Sequence, residues 1–256
     1  MNSRERVLKA LDHQEPDRVP LESAFKPVAL NRLLKYFEAS DLEALRRRLG
    51  VDFRDAEMGP AKGFKKSPMD MNYYVTKIDE FGIGREWGAT GIHWHFTYHP
   101  LQHKSLDEYE LPEIDAPGRF DQARENLAKW KGQYAMVGSA GCGIFEHAWF
   151  LRGFREFMRD LYANPDFVNK LFDRLLEWKI EEGKRLIELG VDIVSVGDDL
   201  GMQTGLIISP DLWRRYLKPR YRRWFGELGR RGAFVDFHCD GKIDAILPEL
   251  IECGID

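Results

Sequence analysis

Three consecutive polar residues follow an apolar run near residue 240, and each has a side chain that binds metals or moves protons. The alternating run FVDF (234–237) is followed directly by His238, Cys239 and Asp240. Residues two apart in a strand face the same way, so His238 and Asp240 share a direction and Cys239 points away. An imidazole and a carboxylate together suit a divalent metal, or the carboxylate orients the imidazole for acid/base work. One pair is too few ligands for a closed metal site, and a plain polar strand end is the remaining interpretation.

Two adjacent carboxylates end a second predicted strand. The segment VDIVSVGDD (191–199) finishes in Asp198 and Asp199. Successive side chains of a strand face opposite sides, so only one of the two points at the barrel axis. The other is expected to cap a helix or to lie on the surface. Asp198, or a residue beyond the chain end, is our candidate for a third metal ligand beside His238 and Asp240.

A glycine-rich turn follows a third predicted strand, YAMVGSAG (134–141), and leads into a helix whose first turn contains Glu146 and His147. Backbone N–H groups at such a junction can receive an anion, although the pattern fits neither the dinucleotide fingerprint nor the P-loop. Active sites of parallel α/β proteins lie at the C-terminal ends of the strands. The polar groups of all these strand ends are therefore expected on one rim.

The elements that must position these groups alternate between strands and helices. Near-continuous apolar strands separated by helical segments predict a parallel sheet covered by helices, which is an α/β fold. A (β/α)8 TIM barrel needs eight strands, and about five are visible, so the barrel is expected to be incomplete. Gly, Pro and paired aromatics between 59 and 100 predict an antiparallel excursion. The parallel strands are predicted near residues 19–21, 51–58, 134–141, 191–199 and 233–240.

Composition narrows the class of protein. The 256 residues are 43% hydrophobic and 31% charged, which is typical of a soluble globular protein with one large core. A net charge of -4 with interspersed signs gives no reason to expect nucleic-acid or membrane partners. Three widely separated cysteines make disulfide stapling unexpected and favour a cytoplasmic location.

Several stretches together resemble the uroporphyrinogen decarboxylase (URO-D) superfamily, and the resemblance covers nearly the whole chain. Its most specific part is DDLGMQTGLIISP (198–210) with KPR (218–220) downstream. The other stretches are SRERVLKALDHQEPDRVPLE (3–22), HPLQHKSLDEYE (99–110), GIFEHAWFLRGFREFMRDLYANPDFVNKLFDRLLEW (143–178) and FHCDGKIDAILPELIECGID (237–256).

The resemblance implies a (β/α)8 barrel and one of two activities. True uroporphyrinogen decarboxylases need no cofactor and carry an arginine-rich RQAGRY-type motif, which LESAFKPVALNR (21–32) lacks. Cobamide-dependent methyltransferases of the superfamily hold zinc with a His-x-Cys pair and a later cysteine. This chain has His238 and Gly241 in the H-x-C-G pattern, but Asp240 stands at the second ligand position and Cys239 is displaced by one. A carboxylate makes a harder site than a thiolate.

We therefore expect an enzyme of the methyltransferase-like branch that transfers a methyl group with a corrinoid (cobalamin) cofactor or a corrinoid protein as partner, acting on a small-molecule substrate. Zinc is the expected metal, with His238, Asp240 and Cys239 as candidate ligands. The candidate catalytic residues are Asp198, Glu146 and His238. The candidate substrate or cofactor contacts are Asp199, Gln203, Gly141, Gly143 and His147.

Two alternatives stay open. One is uroporphyrinogen decarboxylation in porphyrin biosynthesis, a carboxy-lyase reaction in which Asp198 would stabilise a protonated pyrrole without a cofactor. The other is a non-catalytic or partner-completed binding subunit. Residues 1–256 are expected to form a single barrel domain that stops before the last units of the family's barrel. An open sheet edge is a liability, so a homo-oligomer covering that edge is also expected.

Overall fold

The structure is a computed structural model, and it describes residues 1–64, 78–87 and 94–256. Its central sheet has four parallel strands in the order β1-β4-β5-β6, and a separate antiparallel pair is formed by β2 and β3. The strands are β1 (Phe53–Asp55), β2 (Gly84–Trp87), β3 (Trp94–Tyr98), β4 (Ala135–Cys142), β5 (Ile193–Gly197) and β6 (Phe234–His238).

Ten helices are formed within the described ranges, and those that connect the parallel strands cover one face of the sheet. They are α1 (Ser3–Leu11), α2 (Pro27–Tyr36), α3 (Leu42–Leu49), α4 (Asp121–Trp130), α5 (Ile144–Arg152), α6 (Phe154–Ala163), α7 (Pro165–Leu189), α8 (Pro210–Tyr216), α9 (Lys218–Gly229) and α10 (Leu247–Cys253). A short 3-10 turn covers Pro100–Gln102. The parallel sheet with its connecting helices confirms the predicted α/β class.

The predicted count of five parallel strands is wrong for the described residues, which contain four. Residues 19–21 form no strand, and the side chains of Val19 and Leu21 are 77% and 45% exposed. The Leu21 carbonyl accepts one hydrogen bond from the Asp52 amide, but the Leu21 amide donates to the Asp52 carboxylate instead of to a neighbouring strand. The Asp52 carboxylate thus accepts the hydrogen bond that the Leu21 amide would donate to a neighbouring strand in a β-sheet. The predicted antiparallel excursion is confirmed by β2 and β3, and its part at 65–77 and 88–93 lies outside the described residues.

Strand alternation divides the core between the two faces of the sheet. Val194 pairs with Val235 and with Gly138, two residues after Met136, so the side chains of Met136, Val194 and Val235 point to the same face. They are buried on this helix-covered face, where they join the large cluster that includes Trp213 and Trp224. The opposite face carries a smaller cluster in which Val7 and Leu11 of α1 pack with Ala135, Ile193, Phe53, Val137 and Phe234. Helix α1 therefore packs on the face that in a closed barrel turns toward the axis.

Two carboxylates at the N-terminal ends of the strands hold α1 in place. Asp52 is fully buried and accepts hydrogen bonds from Arg6 at 2.8 Å and Arg18 at 2.7 Å. Asp192 accepts from Arg4 at 2.7 Å and from the Met136 amide at 3.0 Å. Burial raises the pKa of Asp52, but the Leu21 amide, the Ser3 hydroxyl and the two guanidinium groups lower it more, so the net pKa lies below its usual value.

Asp52→Asn should lower the free energy of unfolding by about 3 kcal/mol at neutral pH, because it leaves two arginines without their buried charge partner. Denaturant unfolding of the purified variant measures this value. Asp107→Asn, which changes an exposed carboxylate to its amide, is the matched control and should be neutral.

The same substitution has a defined pH dependence. A carboxyl group with a lowered folded pKa contributes stability above its unfolded pKa of about 4, and that stability is lost as the pH falls through the folded pKa. The gap between wild type and Asp52→Asn should therefore narrow below about pH 4. A gap that stays constant down to acid unfolding would contradict this role for the Asp52 charge.

Candidate functional site

Three polar side chains converge at the C-terminal ends of β5 and β6. One ligand atom from each of Asp199, His238 and Asp240 lies within 4.8 Å of the others, which is a spacing that a single metal ion can bridge. The His238 Nε2 atom is 3.1 Å from the Asp240 Oδ1 atom. The side chains of His238 and Asp240 are largely exposed, so the group opens to solvent.

Strand register explains why these three residues meet. His238 is the last residue of β6 and pairs with Gly197, the last residue of β5. The Asp240 amide then donates a 2.8 Å hydrogen bond to the Asp199 carboxylate, which joins the loops that follow the two strands. A Cβ atom on Gly241 would lie 2.1 Å from the backbone of Gly201, so glycine is required where the loops cross.

Glu146 adds a protonated carboxyl group beside this cluster. Its pKa is raised to about 8, first by burial and then by repulsion from the carboxylates of Asp198, Asp199 and Asp240. A hydrogen bond from the Asp199 amide offsets only part of the shift. Glu146 is therefore mostly protonated at neutral pH and can hold a proton next to the Asp199–His238–Asp240 group.

Asp198 faces the opposite way and is buried beneath the first turn of α5. Its carboxylate accepts hydrogen bonds from the amides of Phe145 at 2.9 Å and Glu146 at 2.8 Å, and from the Tyr221 hydroxyl at 2.5 Å. Burial is the main reason that its pKa is raised to about 6, and these three donors lower it again in part. The carboxylate occupies the anion-binding position of the helix N-terminus.

Gly143 precedes α5 and makes this contact sterically feasible. A Cβ atom at Gly143 would lie 2.3 Å from the Asp198 carboxylate, well inside van der Waals contact. The glycine-rich turn therefore admits an anion as its pattern suggested, but the anion is a side chain of the same protein. Gly141, with a φ of +59°, lies at the register shift between Ser139 and Cys142 of β4.

The structure brings together only part of the predicted site. Glu146, Asp199, His238 and Asp240 share the rim, whereas Asp198 lies on the helix side of β5. Cys239 also turns away, and its Sγ atom accepts a 3.4 Å hydrogen bond from the Leu200 amide, so it lies outside the metal-binding group.

The remaining candidate contacts are dispersed. Gln203 is exposed in the turn after β5, and His147 is buried along a separate cavity on the α5 side. Tyr221, which donates to Asp198, was not among the sequence candidates. Tyr221 lies in α9, where aromatic residues alternate with basic ones, a pattern that indicates a buried helix face and not a site residue.

Comparison with known proteins identifies the family. The sequence model for uroporphyrinogen decarboxylase (URO-D) matches residues 72–256, which is more than two thirds of the chain. The chain belongs to the URO-D family. No curated protein sequence matches it significantly. Among solved structures, a methyltransferase from Methanosarcina mazei shares the fold with a TM-score of 0.72 and 20% identity, over 100% of this chain and 74% of that chain.

The URO-D family assignment confirms the resemblance seen in the sequence, and the four parallel strands with their outer helices fit part of a (β/α)8 barrel. Among the described residues, no helix is long and apolar enough to cross a membrane.

The donor set at the rim of this URO-D protein suits a divalent cation. Asp199, His238 and Asp240 supply one imidazole nitrogen and carboxylate oxygens, and two carboxylates balance the charge of a divalent ion. Zinc accepts such nitrogen and oxygen ligands, and so do manganese and iron. The absence of a thiolate from the group shifts the preference toward the harder ions of this series.

Gly143→Ala should lower the free energy of unfolding by about 1–3 kcal/mol, because the added methyl group overlaps the Asp198 carboxylate. Chemical denaturation measures the effect. The matched control is Gly229→Ala, where a Cβ atom meets nothing within 4 Å and the change should stay within about 1 kcal/mol. Equal stability of the two variants would show that α5 does not need Asp198 at its N-terminus.

Proposed function

We propose that this protein is a URO-D family methyltransferase in which Asp199, His238 and Asp240 hold a divalent metal ion. The convergence of these three side chains at the C-terminal strand ends carries the proposal, because that rim is where parallel α/β enzymes place their chemistry. A metal ion bound there would act as a Lewis acid and lower the pKa of a coordinated acceptor nucleophile.

The residues around the group have separate tasks in this proposal. His238 and Asp240 face solvent and meet an incoming acceptor, while Asp199 ties the two loops together through the Asp240 amide. Glu146 is mostly protonated near the acceptor, and the fraction of it that is ionised accepts the proton that the nucleophile loses. Asp198 accepts a hydrogen bond from the backbone amide of Glu146 and thereby fixes the backbone position from which the Glu146 side chain extends.

The methyl donor is proposed to be a corrinoid, either bound by this chain or carried by a corrinoid protein that docks at the rim. Bound there, the corrinoid supplies the methyl group. The fold similarity to a protein named as a methyltransferase supports this general chemistry, as does a rim that holds a metal-binding group. A small nucleophilic molecule is the proposed acceptor.

The charge of the rim favours methyl transfer over porphyrinogen decarboxylation. Asp199, Asp240 and Glu146 lie together, and burial followed by repulsion from the neighbouring carboxylates keeps Glu146 mostly protonated. A porphyrinogen with many carboxylate groups would add negative charge to this surface. A divalent cation, by contrast, would neutralise the cluster.

His238→Ala should abolish stoichiometric binding of Zn²⁺ or Mn²⁺ and reduce methyl transfer from methylcobalamin to a thiol by at least about 100-fold, because two carboxylates alone make a weak site. Calorimetric titration follows the metal, and the absorbance of methylcobalamin follows the transfer. Asp244→Asn, an exposed carboxylate six residues beyond His238, should leave both unchanged.

Two outcomes would overturn the proposal. One is a wild-type protein that binds neither ion at millimolar concentration. The other is metal-free turnover of uroporphyrinogen by the wild type, which would identify the protein as a decarboxylase.

Asp240→Cys should raise the ratio of zinc affinity to manganese affinity by at least about tenfold, because a thiolate is a softer ligand than a carboxylate. Competition titrations with the two ions measure the ratio. Asp244→Cys places the same thiol on a neighbouring exposed position and should leave the ratio unchanged. If the ratio of zinc affinity to manganese affinity is unaltered in Asp240→Cys, Asp240 is not a metal ligand.

A further inference from the structure

The cavity that His147 lines has a volume of about 430 Å³. It lies where the loop after β1 meets the end of β4 and the helices α5 and α7. Its walls contain none of the three rim residues Asp199, His238 and Asp240. A volume of this order suits a small organic molecule. The methyl-transfer proposal makes no use of this cavity.

Aromatic rings form much of the cavity wall. The Phe81 ring packs edge-on against His147, with centroids 4.2 Å apart, and against Trp178 at 5.1 Å. Phe64 and Met58 add further apolar surface. Such walls favour a flat aromatic ligand, which can pack against the rings in offset or edge-on geometry.

Each of the three cations in the cavity wall is already neutralised by a carboxylate of the wall. Three cations face the cavity, and each forms an ion pair with a carboxylate that also lines it. Glu57 is a further carboxylate of the wall, but it is exposed to solvent, which screens its charge and leaves it little attraction for a cation. A charged ligand would therefore lose its hydration without gaining a counter-charge, so the cavity selects against both ligand signs. The pairs are Arg119–Glu80 at 2.8 Å, Lys179–Glu182 at 3.0 Å and Arg85–Asp79 at 3.3 Å.

Two polar atoms of the wall residues remain without a hydrogen-bond partner in the described part of the chain. They are the Nδ1 atom of His147, a residue only 2% exposed, and the Nε atom of Arg85. Burial, together with the positive charges of Lys179 and Arg85, holds the pKa of His147 well below its usual value, so its ring is neutral. The Arg85 Nε–H group can only donate, which calls for an acceptor on the ligand.

We propose that this cavity binds an uncharged aromatic molecule with a hydrogen-bond acceptor, which is oriented by His147 and Arg85. The aromatic wall supplies the affinity, and the paired charges supply the selection against ions. The two unpartnered nitrogens fix the polar end of the molecule. Because the rim residues take no part, binding here is independent of metal binding at Asp199, His238 and Asp240.

The test uses benzamide, benzoate and benzamidinium, which have nearly the same shape and differ in charge. Calorimetry or ligand-observed NMR on the full chain should give benzamide a Kd on the order of 1 mM or tighter. Benzoate and benzamidinium should bind at least about tenfold more weakly, since each would lose its hydration while the cations of the wall stay paired with their carboxylates. His147→Phe keeps a ring in place, removes both nitrogens and should weaken benzamide binding at least about threefold.

Arg85→Met is the second variant and should also weaken benzamide binding. It keeps the test decisive if His147→Phe does not fold. His238→Ala should lose the metal and keep benzamide, which separates failure of this site from failure of the rim. Three results would overturn the proposal: no benzamide binding up to about 10 mM, a charged probe that binds as tightly as benzamide, or benzamide affinity unchanged in both cavity variants.

Discussion

The hydrogen bonds of the buried Asp198 carboxylate hold the functional end of this protein together. They join the end of β5 to the first turn of α5 and, through the Tyr221 hydroxyl, to α9. A carboxylate removed from water is costly unless donors surround it, and here two helix amides and a phenol do so. This contact fixes the first turn of α5, which carries Glu146 and His147, relative to the end of β5.

Much of the fold and part of the site follow from periodicity. Apolar strands between helices predicted the parallel sheet, and spacing by two residues predicted that His238 and Asp240 share a face. The same spacing also indicates which of the two adjacent aspartates points to the barrel axis. Ile193, Ser195 and Gly197 face the axis, and Asp199 continues that series. Asp198 was the candidate for the third metal ligand, whereas strand alternation places Asp199 at the rim, and the structure has Asp199 there.

Other features depend on contacts that sequence patterns do not encode. The segment with Val19 and Leu21 has strand-like residues, yet Asp52 competes for its backbone amide. Helix α2 was not predicted, although Leu30, Leu33 and Leu34 recur at helical spacing, and none of its residues is buried in the structure. The partnership of Tyr221 with Asp198 spans 23 positions and depends on how α9 packs on the sheet.

The contact between the backbones of Gly201 and Gly241 limits how the two rim loops can diverge in evolution. Two loops whose backbones touch cannot be remodelled one at a time, because a side chain at either glycine would push the other loop away. Substitutions that alter what the rim binds are therefore confined to the side chains carried by the loops, while the paths of the loops stay fixed. Exchange of one ligand type for another, such as a thiolate for the carboxylate of Asp240, is the kind of variation that this geometry leaves open.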